Sequence, residues 1–327
     1  MFMKPGSLRR ETFSGSLRTP FFEKYLGSKS KDYLYFNKAA QIIKSKAHLE
    51  LDGLENIKKL KINKKREISN LNSIGVKSNK RSYSTISEFN INNVNSKFNE
   101  WLAGVIDGDG EFILTKKSFV GLKLVFDIKD ESVLYEIKHK YGGSIKLISG
   151  ANAVRYKLRH KKGLVSLIKD INGLIRNPIR MLQMNKLCVK YKINLKEPVS
   201  LTFNNGWLSG FIDSDGSIDI DNKSNQLSIS VTQKNKYLLE PLINLYGGKI
   251  YILSPKVETF KYVIFRKNEV LNLVDNYFNK YPLKSVKLYR INLIKEYYKL
   301  QGHTSLNIHE IDKFNQWIIL KKKWDKY

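Results

Sequence analysis

The chain is 327 residues long and has a single cysteine, Cys188. No intramolecular disulfide can form, and zinc sites that need two or more cysteines are excluded. The five histidines (His48, His139, His160, His303 and His309) show no close metal-ligand spacing. No apolar run reaches the length of about 18 residues that a membrane-spanning helix requires. Acidic residues are scarce: 30 Asp and Glu face 58 Lys and Arg, a net charge of +28. A surplus that large calls for an anionic partner, and nucleic acid is the leading candidate.

What is present is enough for a folded core, since 42% of the residues are hydrophobic. The length suits two domains, or one built from a repeat. Residues 1–100 carry 20 basic and 9 acidic residues. The stretch Ile57–Asn79 is rich in Lys and Asn and reads as solvated helix or disorder. A short helix is possible around Tyr33–Lys46. Arg9, Arg10, Arg18 and several serines give the first thirty residues a faint likeness to an organelle transit peptide. Glu11 and Glu23 count against it, and a basic tail is the plainer reading. Heavy use of Lys, Asn, Ile and Tyr suggests an AT-rich coding genome.

The dominant feature is an internal repeat. Trp101-Leu-Ala-Gly-Val-Ile-Asp-Gly-Asp-Gly110 returns as Trp207-Leu-Ser-Gly-Phe-Ile-Asp-Ser-Asp-Gly216, an offset of 106. Tyr141-Gly142-Gly143 returns as Tyr246-Gly247-Gly248, Tyr156 as Tyr262 and Pro178 as Pro282. These landmarks divide the chain into a basic leader over 1–96, a first repeat over 97–200 and a second over 201–327, with Pro198 in the linker.

Each copy predicts the same elements. An amphipathic helix stops at a glycine, Gly110 or Gly216. Strands follow at 111–117 and 122–128, or 217–221 and 226–232. A helix (131–141; 235–246) and a Gly-Gly turn lead to strands at 144–148 and 153–159, or 249–253 and 260–266. A final helical region closes the half. The class is α+β, with tandem pseudo-symmetric αββαββα repeats. Helices on one face of an antiparallel sheet leave the other face free. That face would carry Lys123, Arg155, Lys157 and Arg159 in the first half, and Gln226, Ser228, Ser230 and Thr232 in the second. A basic, polar sheet suits a duplex groove lined with phosphates.

The repeated decapeptide carries the chemistry. Gly104 and Gly108 lie one helical turn apart, as do Gly210 and Ser214. A glycine inside a helix costs about 1 kcal/mol relative to alanine, so something must approach the backbone closely. The obvious partner is the other copy of the same helix. Val105, Ile106, Phe211 and Ile212 then point into the two cores. Pairing about a pseudo-twofold axis would bring Asp109 and Asp215 together at the helix ends. Two carboxylates repel unless a divalent cation lies between them. Mg²⁺ or Mn²⁺, with Gly108 and Ser214 completing the metal group, is the expected cofactor. Such an ion activates water in phosphodiester hydrolysis. Asp107 and Asp213 are expected to cap backbone groups instead.

A calcium loop and a protease dyad both fit these acids poorly. An EF-hand loop needs Gly and Glu where this chain has Ile218 and Ser224, or Phe112 and Ser118. An aspartic-protease dyad is not expected from acids that end helices. Cys188 sits in an apolar helical stretch and reads as core, and His160 as solvated or phosphate-contacting.

Leu102–Gly110 and Leu208–Gly216 resemble the two signature motifs of single-chain LAGLIDADG homing endonucleases, a family often encoded in organellar group I introns. The resemblance spans about residues 97–300. It implies a saddle of two sheets over DNA with the motif helices at its centre, and metal on the eighth motif residue, here Asp109 and Asp215. It also implies a basic residue ahead of the last helix, matched by Lys287, whereas Gln183 stands there in the first half. A polar residue after the second strand is matched by Gln233, with Ile128 in the first half. The two halves would then be unequal in catalysis.

The function expected is a site-specific, metal-dependent endonuclease cutting both strands of a long asymmetric DNA site. A maturase that assists splicing of its host intron RNA is the second expectation, and both roles can coexist. A transcription factor derived from the same scaffold is the third, and the retained acids count against it. The protein would be a mitochondrial monomer with internal pseudo-twofold symmetry and no membrane partner.

Overall fold

The computed structural model describes residues 85–115, 119–254, 258–303 and 310–326, with only the backbone for residues 85–95. The leader up to residue 84, with the Tyr33–Lys46 helix and the transit-like segment, lies outside the described residues.

The first half runs α1 (Thr85–Asp109), β1 (Glu111–Leu114), β2 (Val120–Asp127), α2 (Glu131–Tyr141), β3 (Ser144–Leu147), β4 (Ala153–Leu158), α3 (Lys161–Ile171) and α4 (Pro178–Tyr191). The second runs α5 (Trp207–Asp215), β5 (Gly216–Ile220), β6 (Leu227–Gln233), α6 (Glu240–Tyr246), β7 (Lys249–Ser254), β8 (Thr259–Ile264), α7 (Lys267–Asn272), α8 (Lys287–Leu300) and α9 (Ile311–Asp325). The fold is α+β, and its order is αββαββα with more helix after the last strand than expected. The closing helical region is a pair, α3 and α4, in the first half and extends to α9 in the second. Helix α1 begins at Thr85, upstream of the boundary at 97.

Both sheets are four-stranded and antiparallel, in the orders β1-β2-β4-β3 and β5-β6-β8-β7. They superpose in register on one landmark. Tyr156 lies opposite Leu124 and Tyr262 opposite Val231. Each tyrosine hydroxyl donates at 2.8 Å to the first carbonyl of a Gly-Gly turn, Gly142 or Gly247. Those glycines have φ of 78° and 80°, conformations that a side chain resists.

One face of each sheet packs on helices. Leu122, Leu124, Val154, Tyr156 and Leu158 meet Leu134 and Ile137 of α2 and Leu164 and Leu167 of α3 in a buried core. Ile229, Val231, Tyr262 and Ile264 form its counterpart with Leu242, Val270 and Leu273.

Helices α1 and α5 form the central contact between the halves, flanked by Asp130 accepting from the Val286 nitrogen and Glu136 pairing with Lys284. They are not amphipathic at their ends: every residue from Trp101 to Gly108 is buried. A Cβ on Gly104 would drive into the Trp207 carbonyl oxygen and stand 2.7 Å from the Phe211 nitrogen. A Cβ on Gly210 would strike the Trp101 carbonyl oxygen and stand 2.9 Å from the Val105 nitrogen. One turn on, Gly108 abuts Ser214. The Ser214 hydroxyl folds back onto its own helix, donating to the carbonyls of Gly210 at 3.2 Å and Phe211 at 3.1 Å. The small residues therefore do what their spacing implied. Because the obstructing atoms are backbone, Gly210→Ala is expected to destabilise the chain by about 3 kcal/mol or more, the upper end of the overpacking range. Urea denaturation would measure it, and an unchanged midpoint would contradict the contact.

Candidate active site and nucleic-acid interface

The motif helices are locked end to end by a reciprocal pair of buried acids. Asp107 accepts from the backbone nitrogens of Arg176 at 2.7 Å and Asn177 at 3.0 Å, and from Trp207 Nε1 at 2.7 Å. Asp213 accepts from the nitrogens of Lys284 at 2.8 Å and Ser285 at 3.1 Å, from Ser285 Oγ at 2.5 Å, and from Trp101 Nε1 at 2.8 Å. Each acid thus holds the segment ahead of a later helix in its own half and takes the tryptophan of the other. Burial pushes the Asp107 carboxyl up to about 6, against the pull of its N–H donors. The expectation that these two acids cap backbone holds.

Asp109 and Asp215 meet at the helix ends, carboxyl against carboxyl. Asp109 as a residue keeps an exposed side, while its carboxyl is partly enclosed against Asp215, which is half-buried. Burial, then the charge and hydrogen bond of Asp109, push Asp215 up to about 7, while the cations Lys287 and Arg180 pull the other way. Burial also raises Asp109. Burial and mutual repulsion thus favour the protonated form at this pair when no cation lies between the acids. An all-oxygen pair of this kind also suits a hard divalent ion.

The basic groups lie behind the carboxyls. Lys287 Nζ donates to the carbonyls of Ile212 and Asp213 at 2.8 Å each and of Ser214 at 3.5 Å. Burial lowers its pKa, and the charges of Asp213, Asp130, Asp109 and Asp215 counter that. In the first half the corresponding cation is Arg180, which the spacing from Pro178 does not single out. Its Nη2 donates to the Gly108 carbonyl at 3.2 Å. Gln183 stands beside it, accepting from Arg180 Nη1 at 3.5 Å and from the Phe112 nitrogen at 3.3 Å. The first half therefore does not lack charge, because the arginine one turn earlier supplies it. Gly108 and Ser214, expected in the metal group, each have their carbonyl engaged by one of these cations.

Gln233 Nε2 donates to Asp215 Oδ2. Its register counterpart is the buried Phe126, not Ile128. Two length differences cause this: the hairpin is one residue longer in the second half, where Ile220 pairs with Leu227 as Leu114 does with Val120, and the stretch from Gln233 to Tyr246 is two residues shorter than that from Phe126 to Tyr141.

The free sheet faces carry the residues expected to meet nucleic acid. Lys123 lies opposite Lys157, and Arg155 opposite Val125 and Lys146. Lys123 also pairs with Glu111. Gln226 and Thr232 are exposed and Ser228 is partly so, whereas Ser230 is only 3% exposed, shut in by its neighbours. Ser230 is on the face by register and unavailable by packing. Arg159 is exposed just beyond the end of β4. Among the described residues, no helix is long and apolar enough to cross a membrane.

Two repeats that bring one carboxylate each to a shared point under open sheets define a pseudo-twofold, nuclease-like class of fold and site. The model of the LAGLIDADG endonuclease family matches residues 208–298. Intron-encoded DNA endonuclease ai2a of Dictyostelium discoideum is 35% identical over 237 residues, covering 70% of this chain and 75% of that protein. Intron-encoded RNA maturase bI4 of Saccharomyces cerevisiae is 39% identical over 252 residues, covering 75% of this chain but 39% of that protein. The chain likewise spans 39% of the length of the probable intron-encoded endonuclease aI2 of Debaryomyces hansenii. The fold matches LAGLIDADG homing endonuclease I-GzeII, solved in complex with its DNA target, with a TM-score of 0.53 at 18% identity over 69% of this chain and 96% of that one. The chain belongs to the LAGLIDADG endonuclease family.

The raised pKa of Asp215 has a consequence for stability. Asp215 titrates near 3.8 when unfolded and near 7 when folded, so the folded chain holds more protons between those values. The stability that this proton lends is complete below pH 3.8 and is lost as the pH rises to about 7. Asp215→Asn cannot ionise. Its melting temperature relative to the parent, measured in EDTA, is expected to rise through that window and then level off. A constant difference would contradict the raised pKa.

Proposed function

We propose that this chain is a site-specific homing endonuclease that makes metal-dependent double-strand cuts in DNA at a long, asymmetric intron-insertion site. The observation that carries this reading is the convergence of Asp109 and Asp215 from two halves at one point. The relative named a DNA endonuclease and the fold shared with a DNA-bound endonuclease support it.

Asp109 and Asp215 would hold Mg²⁺ or Mn²⁺, with Gly108 and Ser214 at the edge of the same group. The ion would supply an activated water and neutralise charge on the attacking and leaving oxygens. Gln233 orients Asp215 through its amide, and Gln183 braces Arg180. Lys287 and Arg180 temper the charge of the carboxyl pair and fix the helix ends. The sheet residues Lys123, Arg155, Lys157, Arg159, Gln226, Ser228 and Thr232 would contact the duplex. The chain would work as a monomer, with repeats over 97–200 and 201–327 behind a basic leader over 1–96, and in the mitochondrion, as an intron-encoded protein.

A second reading is an RNA maturase assisting group I intron splicing. The identity to the relative named RNA maturase bI4 favours it specifically. The two readings are compatible.

The test is cleavage of the intronless junction DNA with Mg²⁺, beside binding and splicing of precursor RNA. Asp109→Asn and Asp215→Asn are each expected to keep DNA binding and lose cleavage by more than about 100-fold, since even groups behind a metal ligand cost roughly 10–100-fold. Normal cutting by the double variant would overturn the assignment. Splicing without cleavage by the parent chain would establish the maturase reading instead.

A further inference from the structure

The two free sheet faces, matched position by position, differ in chemistry. The register aligns Lys123 with Ser230, Lys157 with Val263, Arg155 with Lys261, and Lys146 with Tyr251. The second half gains a cation where Lys249 replaces Ser144 and, at the end of the strand, where Lys234 replaces Asp127. In the first sheet like charges stand directly opposite: Lys123 faces Lys157, and Arg155 faces Lys146. Such cross-strand pairs destabilise a sheet. The Lys157 pKa is lowered, first by desolvation and then by Arg155, Arg159, Lys123 and Lys146. Glu111, paired to Lys123, is the acid in these rows. The second sheet has no such opposition among its described residues. Lys261 faces Thr232 and Tyr251, and Lys249 faces Val263. Its Asp219 is taken by Arg290 at 2.8 Å.

A strand pair that keeps cations face to face in the free protein is arranged for an anion to come between them. Phosphate oxygens do this, and so do the paired acceptors of guanine in the major groove, which Arg and Lys engage. The second sheet offers hydroxyls at Ser228 and Thr232, an aromatic at Tyr251 and an apolar surface at Val263. Those groups give hydrogen bonds to either base type and apolar contact to the thymine methyl, with little dependence on salt.

We propose that the two sheets read their half-sites by different physics. The first sheet supplies most of the charge-dependent affinity and prefers a half-site rich in guanine. The second supplies sequence contacts of low charge and prefers A·T pairs. This rests on the DNA reading of the preceding section and goes beyond it by assigning a base class and a salt dependence to each half.

The experiment uses the full chain in EDTA and a pool of duplexes randomised along their whole length. Duplexes retained by the protein are sequenced, and their affinity is measured by fluorescence anisotropy over a range of salt. One half of the selected sequences is expected to be richer in G·C and the other in A·T. The combined variant Lys123→Gln, Arg155→Gln, Lys157→Gln is expected to flatten the slope of log K against log salt by about 2.7, at roughly 0.9 for each of three phosphates no longer neutralised. It should also relax base preference in the G·C-rich half alone. Lys249→Gln with Lys261→Gln should flatten the slope by less than half as much per residue replaced. Equal base composition in the two halves, or equal flattening per residue replaced in the two variants, would overturn the proposal while leaving DNA binding intact. Absence of binding to every duplex would overturn the DNA reading itself. Removing face-to-face cations should leave the triple variant melting at or above the parent at low salt, and a lower melting point would overturn the repulsion on which the proposal stands.

Discussion

The close approach of α1 and α5 is the constraint on which the rest of the structure depends. Gly104 and Gly210 let each helix lay its backbone against a carbonyl of the other half, at Trp207 and Trp101. A glycine within a helix costs about 1 kcal/mol of helix propensity. That cost is offset by burying the whole inner surface of both motifs, including Leu102, Val105, Phe211 and Ile212, which are nearly fully enclosed. The same contact determines where the helices end. A larger residue would separate the axes, and Asp109 and Asp215 would separate with them.

The reciprocal tryptophan–acid bonds tie that packing to the chemistry. Asp213 takes Trp101 from the other half and also the nitrogens of Lys284 and Ser285. Those nitrogens belong to the segment that delivers Lys287. Asp107 does the same with Trp207, Arg176 and Asn177, ahead of Arg180. A disturbance of the helix interface would therefore reach the cations behind the carboxyls without touching them. Buried acids of this kind are costly when a donor is removed, which makes the arrangement all-or-none rather than graded.

The repeat, the order of helices and strands along the chain and the pairing of small residues are legible in the sequence because they depend on local signals: an almost constant offset, glycine doublets and alternation along strands. The differences have specific physical origins. Counting from a proline matches Gln183 to Lys287. In the first half, however, Asn177 caps the helix at once, its side chain accepting from the Ile179 nitrogen at 3.0 Å, so Arg180 lies in the first turn. In the second half the segment after Pro282 stays non-helical until Lys287. The Gln233 counterpart is displaced by two residues, the amount by which the stretch from Gln233 to Tyr246 is shorter than that from Phe126 to Tyr141, and such a slip is invisible to a landmark lying beyond it. Trp101 and Trp207 head both copies of the motif in plain view. Their partners lie in the opposite half, so no pattern within one repeat could reveal them. The motif helices look amphipathic because Asp107 and Asp213 are polar by type, yet both are buried and fully bonded.

The two halves are near-equal at the centre and unequal at the periphery, and electrostatics explains why this is workable. Lys287 and Arg180 differ in shape and in the number of carbonyls they engage, but each lowers the pKa of both Asp109 and Asp215. A carboxyl pair in contact responds to the summed field of its surroundings, so the identity of the cation in either half matters less than its presence. A sheet face has no such averaging. Lys123 and Lys157 act on what lies directly above them, and screening confines their influence to roughly 8 Å at physiological salt. Duplication therefore left the centre free to exchange one cation for another, while the sheets could diverge row by row.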